Sequence, residues 1–245
     1  MKDFIKGNSV FLVLFAIVFT GIGIALLTID KADLHLWLNS YHTSIGDWFF
    51  RHYTRVPEYA VYIIALFMLF WKAGASIYLL SAEALGGIVV QIVKHIVRAP
   101  RPSVFFDLKN HPDALPVVDG VRLHSSNSFP SGHTNTFFIL FFVVSIVVWY
   151  YLWYERKHDS NHSTQQVDKQ GLCYSIILQV ICFILAIMGA YSRIYLSQHF
   201  AADIFAGGII GIASVLILYP FFAWLNKKYP KVCTYHISLP KRKSK

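Results

Sequence analysis

Residues 191–203 read Tyr-Ser-Arg-Ile-Tyr-Leu-Ser-Gln-His-Phe-Ala-Ala-Asp. This polar link ends one apolar run and opens another, each near the ~20 residues a helix needs to cross hydrocarbon. It sets Ser192, Arg193, His199 and Asp203 at the mouth of the second run. Two upstream segments are placed in the same way. Lys94–Pro102 (Lys-His-Ile-Val-Arg-Ala-Pro-Arg-Pro) follows an apolar run, and Pro130–His133 (Pro-Ser-Gly-His) precedes one. Together the three segments supply cations, two histidines and one carboxylate, a set suited to holding and attacking a phosphate group.

Composition decides the surroundings of this set. The 245 residues are 56% hydrophobic and 14% charged, with mean hydropathy +0.49. Ordinary soluble domains carry about 25% charged residues. The apolar residues here are gathered into blocks, which predicts an all-α membrane bundle of six spans: about 9–29, 57–71, 74–93, 134–154, 172–191 and 204–225. The second is short, and the third carries Glu83 and Gln91. Lys2 and Lys6 precede the first run, but its length exceeds a signal-peptide core, so it reads as an uncleaved span. The bundle is expected to form one domain over residues 1–225, followed by a basic tail over 226–245.

The net charge of +9 does not point to nucleic acid, because the cations lie between apolar blocks and in the tail. Thirteen of the 22 lysines and arginines fall on the face that carries both termini. Cytoplasmic loops hold that excess, so both termini are expected in the cytoplasm and all three polar segments on the outer face. Cys173, Cys182 and Cys233 form no CxxC or Cys/His pattern, and neither a metal site nor a disulfide framework is expected. In the 30–56 segment, Leu34, Trp37, Leu38, Tyr41, Ile45, Trp48 and Phe49 recur at three- and four-residue spacing. That predicts one or two short interfacial helices, which anchor the bundle or form a rim over which lipid enters. The 103–129 connection is long enough to fold over the site. The polar 155–171 loop contains Asn161-His162-Ser163, a glycosylation pattern discounted for its cytoplasmic placing.

Lys94 and Arg101 are seven apart and share a helix face if the helix continues that far, although Pro100 and Pro102 argue for a turn. Arg101 suits bidentate phosphate contact and Lys94 a compact charge. The N–H groups of Pro130–His133 can form an anion-binding turn at a helix start. Ser131 adds a hydrogen bond, Gly132 permits close approach, and His133 is placed to protonate a leaving oxygen. His199 and Asp203 are i, i+4 partners, so the carboxylate can orient the ring as a nucleophile. Arg193 supplies a third cation. Each feature also has a plainer reading: a cationic span end, a helix start, a buried His–Asp pair. Arg98 suits headgroup contact or anchoring, and Ser192 is a further candidate substrate contact. Glu83 lies almost three turns before Lys94, about 16 Å deeper, as a functional candidate or as the partner of a neighbouring helix's polar group.

The three segments together resemble the signature of the type 2 phosphatidic acid phosphatase (PAP2) superfamily, which also contains the vanadium haloperoxidases. Its pattern is Lys-x6-Arg-Pro, Pro-Ser-Gly-His and Ser-Arg-x5-His-x3-Asp. This chain has Lys94…Arg101-Pro102, Pro130-Ser131-Gly132-His133 and Ser192-Arg193…His199…Asp203. The resemblance implies a cofactor-free, metal-independent lipid phosphatase. In it His199 attacks phosphorus to form a phosphohistidine, Asp203 orients His199, and His133 serves as general acid and then base. Lys94, Arg101, Arg193, Ser131 and Gly132 would hold the phosphoryl oxygens. The resemblance further implies a compact enzyme of a bacterial inner membrane acting on an envelope lipid. Lipid A phosphate or undecaprenyl pyrophosphate is favoured, with phosphatidylglycerol phosphate as a third substrate. Two rival readings are a vanadate-dependent haloperoxidase, which six spans disfavour, and a non-enzymatic lipid transporter, which would need more polar residues at mid-depth.

Overall fold

The computed structural model describes residues 2–109, 111–150 and 165–229. These form α1 (Lys2–Gly7), α2 (Ser9–Thr28), α3 (Lys31–Leu38), α4 (Ser44–Tyr53), α5 (Val56–Trp71), α6 (Ala73–Val97), α7 (Pro102–Leu108), α8 (Gly132–Trp149), α9 (Gln165–Tyr195) and α10 (Ala201–Lys228). Among the described residues there is no strand. Helices suit hydrocarbon because each closes its own backbone hydrogen bonds. The glycosylation pattern and nearly all of the basic tail lie outside the described residues.

Five stretches are long and apolar enough to cross a membrane singly: α2, α6 with its continuation to Leu108, α8, the Leu172–Tyr195 part of α9, and α10. At 16 residues, α5 is about 24 Å long, short of the ~30 Å hydrocarbon core. It passes the same test only together with α4, as a pair bent by 47°. Counting that bent pair as one span gives six, and the expected 57–71 segment is its longer half. The two short helices expected in the 30–56 segment are α3 and α4. Asp30 caps α3 by accepting from the Ala32 N–H at 2.8 Å, and Thr43 caps α4 by accepting from Gly46 at 3.0 Å. Trp37, Ile45 and Trp48 on these helices and Tyr41 between them are exposed, as side chains at a bilayer interface would be.

The bundle is arranged around α8. Phe137, Phe138, Ile139, Leu140, Phe142, Val143, Ile146 and Val147 are wholly buried, and α6, α9 and α10 pack against this helix. Outside it, α2 lays Phe11 on Phe142 at 4.6 Å and Phe19 edge-on to Phe138 at 5.3 Å. Large side chains on α8 are matched by glycines on its neighbours. A Cβ on Gly86 of α6 would meet Asn135 at 2.6 Å, one on Gly189 of α9 would meet the Phe137 ring at 2.3 Å, and one on Gly207 of α10 would meet the Ser131 carbonyl oxygen at 2.4 Å. Small residues at such crossings let backbones approach where no hydrophobic effect drives helices together. The end of α6, the start of α8 and the α9–α10 junction fall at one end of the bundle, bringing all three polar segments together.

The Gly207 crossing makes a measurable difference. Gly207→Ala forces a methyl onto backbone and is expected to destabilise by about 1–3 kcal/mol. Gly87→Ala, where nothing lies within 4 Å, should be neutral or stabilising by up to ~1 kcal/mol through helix propensity. Thermal unfolding in detergent micelles reads both.

Candidate active site

Asp203 is the third residue of α10, where a side chain can reach back to the residue before the helix. Its Oδ2 accepts the Phe200 N–H at 3.0 Å, lies 3.2 Å from His199 Nδ1, and takes the hydroxyl hydrogen bond of Ser128. His199 stands in the connection before α10, so the i, i+4 pairing expected on a helix face is instead a helix-capping geometry. An ionised carboxylate can only accept, so Nδ1 carries the proton and Nε2 keeps its lone pair. The ring is 1% exposed. Burial is the first cause of its pKa falling from 6.5 to about 3, opposed by the hydrogen bond and charge of Asp203 and reinforced by Arg193 and Arg101. His199 is therefore held neutral.

The cations come from two of the three polar segments. Arg193, near the end of α9, is buried; its Nη1 donates to Thr54 Oγ1 at 2.6 Å and its Nε has no partner. Arg101 donates through Nε to the Ser126 carbonyl at 2.9 Å, and through Nη1 to the Gln198 carbonyl at 3.0 Å. Lys94 donates to the Asn127 carbonyl at 2.8 Å. Lys94 and Arg101 do not share a helix. The helix ends at Val97, Arg98 takes a left-handed conformation (φ 47°), and Arg101 caps α7 in extended backbone. That turn carries Arg101 back over the same 126–128 segment that Lys94 reaches.

Ser131 caps α8, accepting from Thr134 Oγ1 at 3.0 Å. Its own N–H donates to the Asp203 carbonyl at 2.9 Å, so this donor of the expected anion-binding turn is already engaged. The N–H groups of Gly132 and His133, in the first turn of α8, remain for a ligand. His133 Nε2 lies 3.2 Å from Glu58 Oε1 of α5. The remaining candidates stand apart from this cluster. Arg98 donates to the His95 carbonyl and is exposed. The Ser192 hydroxyl donates to the Gly189 carbonyl at 2.6 Å, inside its own helix. Glu83 accepts from Thr136 Oγ1 of α8 at 2.6 Å, the plainer of its two readings, although it also borders a cavity of about 170 Å³ shared with Glu58, Gly132 and His133.

A second cavity of about 170 Å³ opens beside His133 and Arg193, lined further by Arg51, Arg55, Glu58, Arg122, His124 and Gln198. His124, in the loop over it, has its pKa lowered, first by burial and then by Arg101, Arg193, Arg122 and Lys94. Sequence reasoning missed Thr54, Glu58, Ser128 and Gln198. Ser128 lies just ahead of Pro130 and Gln198 just ahead of His199, but nothing in their spacing marks them. Thr54 and Glu58 belong to the α4–α5 bend, far from the three segments in sequence.

Comparison with known proteins gives a family. The PAP2 superfamily model matches residues 75–227. The chain is 27% identical over 181 residues to an Arabidopsis thaliana protein named probable lipid phosphate phosphatase 4, covering 64% of this chain and 55% of that one. It thus spans about half the length of that curated relative. The crystal structure of Aquifex aeolicus LpxE superposes with a TM-score of 0.55 at 22% identity, over 78% of this chain and 96% of that one, a likeness of fold. The matched residues run from α6 through α10 and contain all three polar segments, and the chain belongs to the PAP2 superfamily.

Proposed function

We propose that the protein is an integral-membrane lipid phosphatase of a bacterial inner membrane, working through a phosphohistidine on His199. The observation that carries this reading is the buried His199 ring, held through Nδ1 by Asp203 and lying in the field of Arg193 and Arg101. Arg193 is a buried cation with an unpartnered Nε, a donor that a bound phosphoryl oxygen would satisfy. Lys94 and Arg101 are satisfied by loop carbonyls, which phosphoryl oxygens would replace.

In the first step the Nε2 lone pair of His199 forms the N–P bond. The bond from phosphorus to the leaving oxygen breaks, and that oxygen keeps the electron pair and takes a proton from His133. Lys94, Arg101, Arg193 and the turn at Ser131–Gly132 hold the charge on the nonbridging oxygens. In the second step His133 takes a proton from water, the new O–P bond forms, and the N–P bond breaks to release phosphate. The charge asymmetry of the sequence supports placing both termini in the cytoplasm and the site at the outer leaflet. Residues 1–225 form the catalytic domain in this reading, and 226–245 a cytoplasmic tail.

The experiment is phosphate release from a panel of lipid phosphates by the purified protein with chelator present. His199→Ala is expected to lower turnover on the order of 10⁴-fold, and full activity in that variant would exclude the mechanism. His133→Ala should lose ~10²–10⁴-fold. With a substrate whose leaving group needs no proton, it should also accumulate acid-labile phosphate on His199, detectable by mass spectrometry.

The His199 pKa also sets a stability trend. Its folded value of about 3 lies below the ordinary 6.5, so protons bind the unfolded chain preferentially between the two. The stabilisation is complete above pH 6.5 and is lost as pH falls towards 3. The unfolding temperature of the wild type should therefore fall relative to His199→Gln over that window. A constant difference would show that the ring is not buried neutral.

A further inference from the structure

Three arginines stand on the leaving-group side of the site and have no part in the scheme above. Arg51 comes from α4, Arg55 from the α4–α5 bend and Arg122 from the loop over the site, and all three line the cavity shared by His133 and Arg193. Arg51 and Arg55 lie four residues apart across the bend, and Arg122 is brought to them from a distant segment. Arg51 donates to the Asp119 carbonyl at 3.1 Å. Gly120 beside it has φ +75°, and a Cβ there would come within 3.0 Å of Arg51 Nη1, so the close approach is made by glycine. The backbone of Arg122 is held by Gln198, which donates to its carbonyl at 3.1 Å. Its guanidinium and that of Arg55 pair with no carboxylate among the described residues. The one carboxylate in the lining is Glu58, already 3.2 Å from His133. His124 on the same wall lies in the field of Arg101, Arg193, Arg122 and Lys94.

A single phosphoryl group is already matched by Lys94, Arg101 and Arg193. We infer that Arg51, Arg55 and Arg122 form a second anion subsite, which binds a second phosphate carried by the substrate on its leaving-group side. The substrate class is then a lipid diphosphate ester, in preference to a lipid monophosphate. When His199 attacks the terminal phosphorus, the bond to the bridging oxygen breaks and the electron pair stays on that oxygen, now part of a lipid monophosphate. His133 gives it a proton, and the three arginines hold the remaining charge. Arg51 and Arg55 precede residue 75, where the family match begins. The subsite is therefore built largely by this chain's own N-terminal segment.

The inference rests on the phosphatase reading, and the test separates the two. Full-length protein in neutral detergent micelles at fixed ionic strength is compared with Arg55→Gln, Arg122→Gln and the double variant. Both positions are exposed, so folding should survive, and thermal unfolding checks it. Methylenediphosphonate should inhibit the wild type ~10-fold or more tightly than methylphosphonate, and the double variant should lose that difference. The same variant should lose ~10–100-fold in kcat/KM on a polyprenyl diphosphate, with turnover of a lipid monophosphate kept within about twofold. Equal losses on both substrates, or no diphosphonate preference in the wild type, would overturn the inference. A preference that disappears when phosphatidylglycerol is added would assign the arginines to a neighbouring headgroup and overturn it too. If the wild type hydrolyses no lipid phosphate, the phosphatase reading falls. Isothermal titration with methylenediphosphonate then still decides the subsite: binding that the double variant loses supports it, and absent binding refutes it.

Discussion

The site depends on how Asp203 is held. Its carboxylate takes hydrogen bonds from Phe200, His199 and Ser128, and its backbone carbonyl takes one from Ser131. One residue thus joins the start of α10, the proposed nucleophile and the start of α8. A buried carboxylate is tolerable only with such partners. They fix the side chain in turn, so His199 presents one nitrogen and one tautomer. The glycine at 207 serves the same junction, since the Ser131 carbonyl could not lie so near a larger residue.

Burial gives that junction its chemistry. In water a histidine is half protonated near its ordinary pKa and is a poor nucleophile below it. Enclosed here, His199 loses its proton to desolvation, with Arg193 and Arg101 adding to the effect. The same cations that would bind phosphate keep the ring neutral. Lys94 and Arg101 meanwhile rest on carbonyls of the 126–127 segment, so the loop beside the site satisfies these cations. In the proposed reading a phosphate would replace those carbonyls, which would couple substrate binding to the position of the loop.

Much of this was legible in the sequence, for a physical reason. Apolar blocks of membrane length leave one regular backbone solution, and their parity put three polar segments at one end. Motif residues at fixed spacing carried the rest. The failures were local. Spacing paired His199 with Asp203 but could not tell a helix face from a helix cap. The seven residues from Lys94 to Arg101 were read as conditionally helical, and the left-handed Arg98 breaks them. The hydroxyl of Ser192 looked available and is bonded within its own helix. Thr54, Glu58 and Gln198 carry no pattern, because they become neighbours only through packing. The bend between α4 and α5 was hidden as well, since hydropathy records length and apolarity but not direction.

That bend explains a division of labour within the molecule. The proposed reaction centre is carried by α6 to α10, the stretch that matches the family. The cavity beside His133, on the leaving-group side in the proposed scheme, is lined from α4, α5 and the loop before α8. Arg51, Thr54, Arg55 and Glu58 stand at i, i+3, i+4 and i+7 across the 47° bend and line one cavity together. Thr54 then steadies Arg193 and Glu58 meets His133, so the same bend that supplies the outer arginines also touches the inner machinery. The two halves of the bent pair thus reach the cavity beside His133, while the glycine crossings around α8 hold the junction that carries the proposed nucleophile.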